Sequence, residues 1–168
     1  MNPSFEQFQK QILHPIKFKF FLLQKLPAAF FAGLSIKSFD EQHTVIKVTY
    51  QWLNQNPFHS MYFAVQSMAA EMSTGLMASA QVYKRNPTVS MLVVGLEANF
   101  KKKAVGTISF TCLDGQLIND AIEKSIITGI GESIVAKSVG TNQAGEVVSE
   151  FLITWSFKAK TMSSTQTP

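Results

Sequence analysis

Between Val48 and Tyr83 the chain carries one formally charged side chain, Glu71, in 36 positions. A helix or loop facing water over that length would present ammonium and carboxylate groups to it, so most of this segment must be enclosed by the rest of the protein. Residues 60–82 have helical propensity through Met61, Ala64, Met68, Ala69, Ala70, Met72, Leu76 and Met77, with no polar face opposite them. A long helix of this kind needs cover on most of its sides, and a strongly curved sheet wrapped around it supplies that cover.

The flanking sequence alternates with period two. Leu34 and Ile36 alternate with Ser35 and Lys37, and Val45, Lys47 and Thr49 with Ile46, Val48 and Tyr50, on either side of a polar Asp40-Glu41-Gln42 turn, which predicts a hairpin. After the helix, residues 89–100 read as a strand with Ser90, Leu92, Val94, Leu96, Ala98 and Phe100 on one face. Residues 104–112 read as its hairpin partner across Lys101-Lys102-Lys103. An amphipathic connector follows at 116–127, then strands at 132–140 and 146–160 joined by a turn at 142–145. Ahead of all this, residues 3–31 read as two short amphipathic helices separated at His14-Pro15. The expected organisation is an N-terminal helical extension over 1–32, one α+β domain over 33–160, and a polar, disordered tail over 161–168. An antiparallel sheet curled around one long helix resembles the hotdog fold.

Charged residues make up only 15% of the chain and hydrophobic ones 46%, with fourteen Phe. About a quarter charged is usual. The surplus predicts a thick core, a buried subunit interface or a pocket for an apolar ligand, and a homodimer or tetramer is the expected state. The net charge of +4 comes without Arg-rich tracts or a basic stripe, so nucleic acid is not an expected partner. A single cysteine, Cys112, excludes an internal disulfide and every multi-Cys zinc site, and reads as a packing thiol. His14, His43 and His59 have no ligand spacing, so neither metal nor cofactor is expected. The best apolar run, residues 18–33, is broken by Lys19, Gln24, Lys25 and Pro27. Its apolar piece Phe20–Leu23 is too short for a signal peptide. No membrane span and a cytoplasmic location are therefore expected.

A buried carboxylate is costly unless it is paired, neutralised or used. Glu71 is thus either hydrogen-bonded to Ser67 or a backbone group, turned to a solvated subunit seam, or functional. On the helix it shares a face with Ala64, Ser67, Met68, Thr74, Gly75 and Ala78, side chains that leave room beside an acid and that close helix packing would equally require. The helix start is the second candidate. Ser60 is the expected N-cap, Asn56 reads as a turn or cap residue, and His59 reads as a loop or capping residue. The free N–H groups of Phe63 and Ala64 would be placed to polarise a carbonyl oxygen. Glu71 lies about two turns, roughly 10 to 12 Å, farther along. Acid and N–H groups would therefore meet on one carbonyl only if the acid came from another segment or another subunit.

The run Asn56-Pro57-Phe58-His59-Ser60-Met61-Tyr62-Phe63-Ala64-Val65-Gln66-Ser67-Met68-Ala69-Ala70-Glu71 resembles the helix-start motif of hotdog thioesterases of the phenylacetate-pathway type, and still more the DUF4442 branch of that superfamily. In both, an Asn precedes a helix acid by fifteen positions, as Asn56 precedes Glu71. The likeness extends in outline from Pro27 to Lys158. It implies hydrolysis of an acyl-coenzyme A thioester, with Glu71 as nucleophile or general base acting across a dimer interface. Phe63 and Ala64 would supply oxyanion-hole N–H groups, and Asn56 would orient the thioester or the water. The substrate would lie against Ser60, Tyr62, Ser67, Met68 and Thr74, and Lys101, Lys102 and Lys103 either meet its phosphates or form a solvated turn. The family's His-Gly-Gly triplet falls on Tyr62-Phe63-Ala64, which keeps the N–H groups but sets a Phe ring where the thioester would pass. A non-catalytic binder of fatty acyl chains or acyl-coenzyme A is accordingly the competing expectation. The spacing from His59 to Glu71 does not fit the hotdog dehydratases.

Overall fold

Three helices open the chain, α1 (Phe5–Ile12), α2 (Pro15–Lys25) and α3 (Pro27–Ala32), where the sequence predicts two. The extra break is at Leu26, whose non-helical backbone (φ −137°, ψ 60°) precedes Pro27 at the first position of α3. A residue before proline is pushed out of the helical region, which ends one helix and starts another. This computed structural model describes residues 2–160, so the predicted tail at 161–168 lies outside the described residues.

The predicted hairpin forms as β1 (Ser35–Phe39) and β2 (Thr44–Thr49). Asp40 ties its turn: Oδ1 accepts the N–H groups of Gln42 and His43, each at 2.8 Å, and Oδ2 lies 2.8 Å from His43 Nδ1. A 3-10 turn at Trp52–Asn54 leads to α4 (Phe63–Val82), followed by β3 (Val89–Phe100), β4 (Thr107–Cys112), α5 (Gly115–Thr128), β5 (Glu132–Thr141) and β6 (Val147–Ala159). The strands form one antiparallel sheet in the order β1-β2-β4-β5-β6-β3, with α4 packed against five of them.

Two expectations for β3 are corrected. It does not pair with β4, because the segment after Phe100 is held elsewhere. The N–H groups of Lys101 and Lys102 donate to the Val148 carbonyl (2.8 and 3.2 Å) and Met61 donates to Ala104 (2.8 Å). The chain therefore crosses the sheet and β4 inserts between β2 and β5, leaving β3 beside β6 at the edge. Nor do the six alternating residues share a face. A bulge between Val93 and Gly95 adds one residue, so Ser90 and Leu92 pair with the outward Lys158 and Ser156, while Leu96 and Ala98 pair with the inward Ile153 and Phe151. One inserted residue reverses every side chain that follows it.

Ala69, Ala70, Ala78 and Ala80 let α4 sit close against fully buried Phe110, Phe151 and Phe157 of the sheet. Each of these rings contributes about 2–3 kcal/mol by leaving water. An apolar interface alone would leave the helix free to rotate, and three buried polar links prevent it. Ser149 Oγ donates to Gln66 Oε1 (2.9 Å), Ser73 Oγ lies 2.8 Å from Ser138 Oγ, and Trp155 Nε1 donates to Thr74 Oγ1 (2.9 Å). Together they fix which stripe of α4 faces away from the sheet. At its far end, Asn2 Nδ2 donates to the carbonyls of Ala80 and Tyr83, both at 2.7 Å, satisfying terminal acceptors. Phe5, Ile12, Phe18 and Leu22 of the first two helices join the same core.

Candidate active site

Helix α4 begins with no side-chain cap, and its N-cap residue is Tyr62 rather than the expected Ser60. Ser60 instead serves the loop before the helix, where Asn56 Oδ1 accepts from the Ser60 hydroxyl (3.3 Å), the Ser60 N–H (3.2 Å) and the Phe58 N–H (2.9 Å). Asn56 is thus a turn-forming residue through its oxygen, while its Nδ2 has no partner among the described residues. The first amides of the helix bonded within the chain are those of Val65 and Gln66, both to the Tyr62 carbonyl. Among the described residues the N–H groups of Phe63 and Ala64 have no acceptor, as an oxyanion site requires.

A cavity of about 620 Å³ opens at this helix start, with Asn56, Ser60, Tyr62, Phe63, Gln66 and Phe100 in its wall. Its size suits a drug-sized ligand. The Phe63 ring is 55% exposed and stands edge-on to Tyr62 and Phe100, with centroids 4.8 and 6.3 Å away. Lys101, Lys102 and Lys103 line the same cavity but are engaged, Lys101 with Glu150, Lys102 with Glu146 at 2.6 Å and Lys103 with the Phe58 carbonyl at 3.0 Å. They cap a crossover, not the hairpin turn that the sequence suggests.

Glu71 sits elsewhere. It lines a second cavity of about 100 Å³ together with Phe21 of α2, Leu26 between α2 and α3, Gly75, Met91 and Trp155. The Ser67 hydroxyl, one expected partner, donates to the Phe63 carbonyl at 3.0 Å, and the Thr74 hydroxyl donates to the Glu71 backbone oxygen at 3.0 Å while accepting from Trp155. The Glu71 carboxylate has no hydrogen-bond or ion-pair partner among the described residues. Burial raises its pKa above the ordinary carboxylate value. Glycine at position 75 keeps the space open, since a Cβ there would stand 3.0 Å from Glu71 Oε1 and 3.3 Å from Trp155 Cζ2.

The structure therefore brings Asn56, Ser60, Tyr62, Phe63 and the three lysines to one cavity, and Glu71 to another about 12 Å away along α4. Ala64, Ser67 and Met68 form the partly exposed stripe between them, and Thr74 is buried in the core with its hydroxyl occupied. Sequence reasoning missed Gln66 and Phe100 at the first cavity and Phe21, Leu26 and Trp155 around the acid. Gln66 carried a signal, being an uncharged polar residue one turn into an apolar helix. Nothing in the local sequence separates the others from ordinary core residues.

The family model of DUF4442, a domain of unknown function, matches residues 16–157. No curated protein matches the sequence. Among solved structures, PA5026 from Pseudomonas aeruginosa, a protein of unknown function described as a probable thioesterase, superposes with a TM-score of 0.72 at 18% identity, covering 89% of this chain and 99% of its own. A protein of unknown function from Chlorobaculum tepidum gives a TM-score of 0.72 at 17% identity over 88% and 98% of the two chains. The thioesterase HI1161 from Haemophilus influenzae gives 0.58 at 13% identity over 82% and 86%. These likenesses identify the fold as the hotdog fold, and with the family match over residues 16–157 the chain belongs to the DUF4442 family.

Proposed function

We propose that the protein is an acyl-coenzyme A thioesterase that works as a homodimer, with Glu71 of one protomer acting on a thioester carbonyl held at the α4 start of the other. The observation that carries this reading is the pair of unsatisfied groups on one helix stripe: two open N–H groups at its beginning and an unpaired, half-buried carboxylate about two turns on. Leaving both without partners costs stability, and a two-fold pairing of protomers would use both at once. The long edge strand β3 favours such pairing. Among the described residues it lacks a neighbour on one side, and the inward Leu96, Ala98 and Phe100 near its end are exposed. The two relatives described as thioesterases agree with the reading.

In this mechanism the thioester oxygen accepts from the Phe63 and Ala64 N–H groups, and the Asn56 amide donates to the thioester or the water. The Glu71 carboxylate takes a proton from water as it attacks the carbonyl carbon. The tetrahedral oxyanion then collapses, and the proton passes to the departing sulfur. A carboxylate with a raised pKa is a stronger base than one in water. The test is release of free coenzyme A, separated by chromatography, from short-chain, long-chain and aryl acyl thioesters, with Glu71→Gln in parallel. Release that falls by two or more orders of magnitude in the variant supports the proposal; no release by the wild type across the panel ends it. The exposed Phe63 ring over the helix start favours the second reading, a binder of acyl chains that does not turn over, which would retain acyl thioester without hydrolysing it.

A further inference from the structure

Helix α2 is apolar around most of its circumference, yet only Phe18 and Leu22 of its 11 residues are buried. Such a helix is normally covered on all sides. Ile16, Phe20 and Leu23, spaced i, i+4, i+7, form a stripe turned away from the core, with Ile16 73% and Phe20 59% exposed. Helix α3 packs on α2 and adds exposed Phe31, and the 3-10 turn packed on α3 adds Leu53 and Trp52, which is 79% exposed. That turn is a fixed platform. Asn54 Nδ2 donates to the carbonyls of Ala32 (3.0 Å) and Thr49 (2.9 Å), and Asn54 Oδ1 accepts the Gln51 N–H at 2.8 Å.

The charge around this face has one sign. From Gln7 to Phe39 there is no Asp or Glu, and there are five lysines, Lys10, Lys17, Lys19, Lys25 and Lys37. Lys10 pairs with Glu6, but the other four have no carboxylate partner among the described residues, whereas Lys101, Lys102, Lys124 and Lys137 all do. Lys17 and Lys19 fall on opposite flanks of the Ile16-Phe20-Leu23 stripe, so their stems can lie along the apolar surface while the ammonium groups reach outward. A second copy presenting the same face across a two-fold axis would set these unpaired lysines against each other. An apolar stripe flanked by lysines, with an exposed indole beside it, complements a layer of acyl chains under negatively charged headgroups.

We propose that the face built from α2, α3 and the 3-10 turn docks on an anionic phospholipid bilayer surface. It lies in the headgroup region, and no helix among the described residues is long and apolar enough to cross a membrane. The inference is independent of the thioesterase reading, although Phe21 on another flank of α2 walls the Glu71 cavity. The test is co-sedimentation of the full chain with vesicles of equal parts phosphatidylglycerol and phosphatidylcholine, compared with pure phosphatidylcholine, at low and physiological salt.

Expected are binding to the anionic vesicles at least tenfold tighter than to the neutral ones, weakening with salt, and loss of about fivefold for each lysine removed in Lys17→Gln and Lys19→Gln. The double variant Phe20→Ser and Leu23→Ser should lose binding even at low salt. The lysine side chains are exposed, so Lys17→Gln and Lys19→Gln should keep the wild-type melting temperature, and the Phe20 and Leu23 double variant should keep the wild-type circular dichroism spectrum at the assay temperature. Absence of binding to anionic vesicles, equal binding to both compositions, or undiminished binding by either set of variants overturns the proposal. A fall in molecular mass by light scattering in the Phe20 and Leu23 variant, without lipid, also overturns it, because a second copy would then be the occupant.

Discussion

Replacing Glu71 by Gln should stabilise the protein at neutral pH and leave its stability unchanged in acid. The carboxylate stands between Trp155, Gly75, Phe21 and Leu26, without a donor among the described residues. Its ionised form therefore gives up hydration and gains nothing in return. For a half-buried group that penalty is about 1 kcal/mol, the low end of the cost of an unsatisfied buried polar atom. Gln keeps the shape and removes the charge, so the variant should melt about 2–4 °C higher.

The dependence on pH follows from burial holding the folded-state pKa above the ordinary 4.5. Between those two values the folded protein binds more protons than the unfolded chain, so stability falls as pH rises through that window. Below it both states are neutral at this position, and wild type and variant should coincide. Above it the full difference should persist. Urea or thermal unfolding of both proteins in steps from acid to neutral pH reads this directly. A variant less stable at neutral pH would mean that the carboxylate is paired, and a difference that does not vary with pH would mean that its charge is irrelevant. Either result refutes the reasoning. Increased stability together with lost thioester hydrolysis would mark an acid kept for function at the expense of the fold.

Other positions give independent checks. Gly115→Ala should cost about 3 kcal/mol or prevent folding, since its Cβ would lie 2.1 Å from the Glu41 carbonyl oxygen, a backbone atom that cannot swing aside; comparative urea unfolding measures it. Thr74→Val should cost about 1–3 kcal/mol by stranding the buried Trp155 N–H, with a shift in Trp fluorescence accompanying the loss. Phe63→Gly should raise coenzyme A release several-fold if the ring crowds the thioester, and unchanged release would remove that argument. Cys112 should not react with a thiol reagent until the protein unfolds, because it is fully buried and its pKa is pushed up to about 12. Labelling of the native protein within minutes would contradict this.

Much of the site was legible because its signals are local. One acid in an uncharged segment announced a buried carboxylate, and the break at Pro57 followed by an apolar helix announced open N–H groups. The turn at Asn56 was legible too, and the structure shows its side-chain oxygen closing the loop. What failed was whatever depended on a distant contact. Ser60 looked like an N-cap, but its hydroxyl turns back to Asn56. The lysines looked like a hairpin turn, but their backbone is captured by Val148, nearly fifty residues ahead in the chain.

The sequence by itself determined the element types and most of their limits, because hydrophobic period, proline breaks and turn residues act over a few residues. It also determined that one helix must be enclosed, because a helix with a single charged side chain and no polar face is poorly stable in water. Only the tertiary structure decided the strand order, the bulge that turns over the end of β3, and the meeting of Phe21, Leu26 and Trp155 around Glu71. Those features rest on pairings between residues far apart in the chain. The polar links Gln66 with Ser149, Ser73 with Ser138 and Thr74 with Trp155 span 83, 65 and 81 positions. Until the sheet closes around the helix, nothing in the local sequence sets its rotation, and with it the direction in which its one acid points.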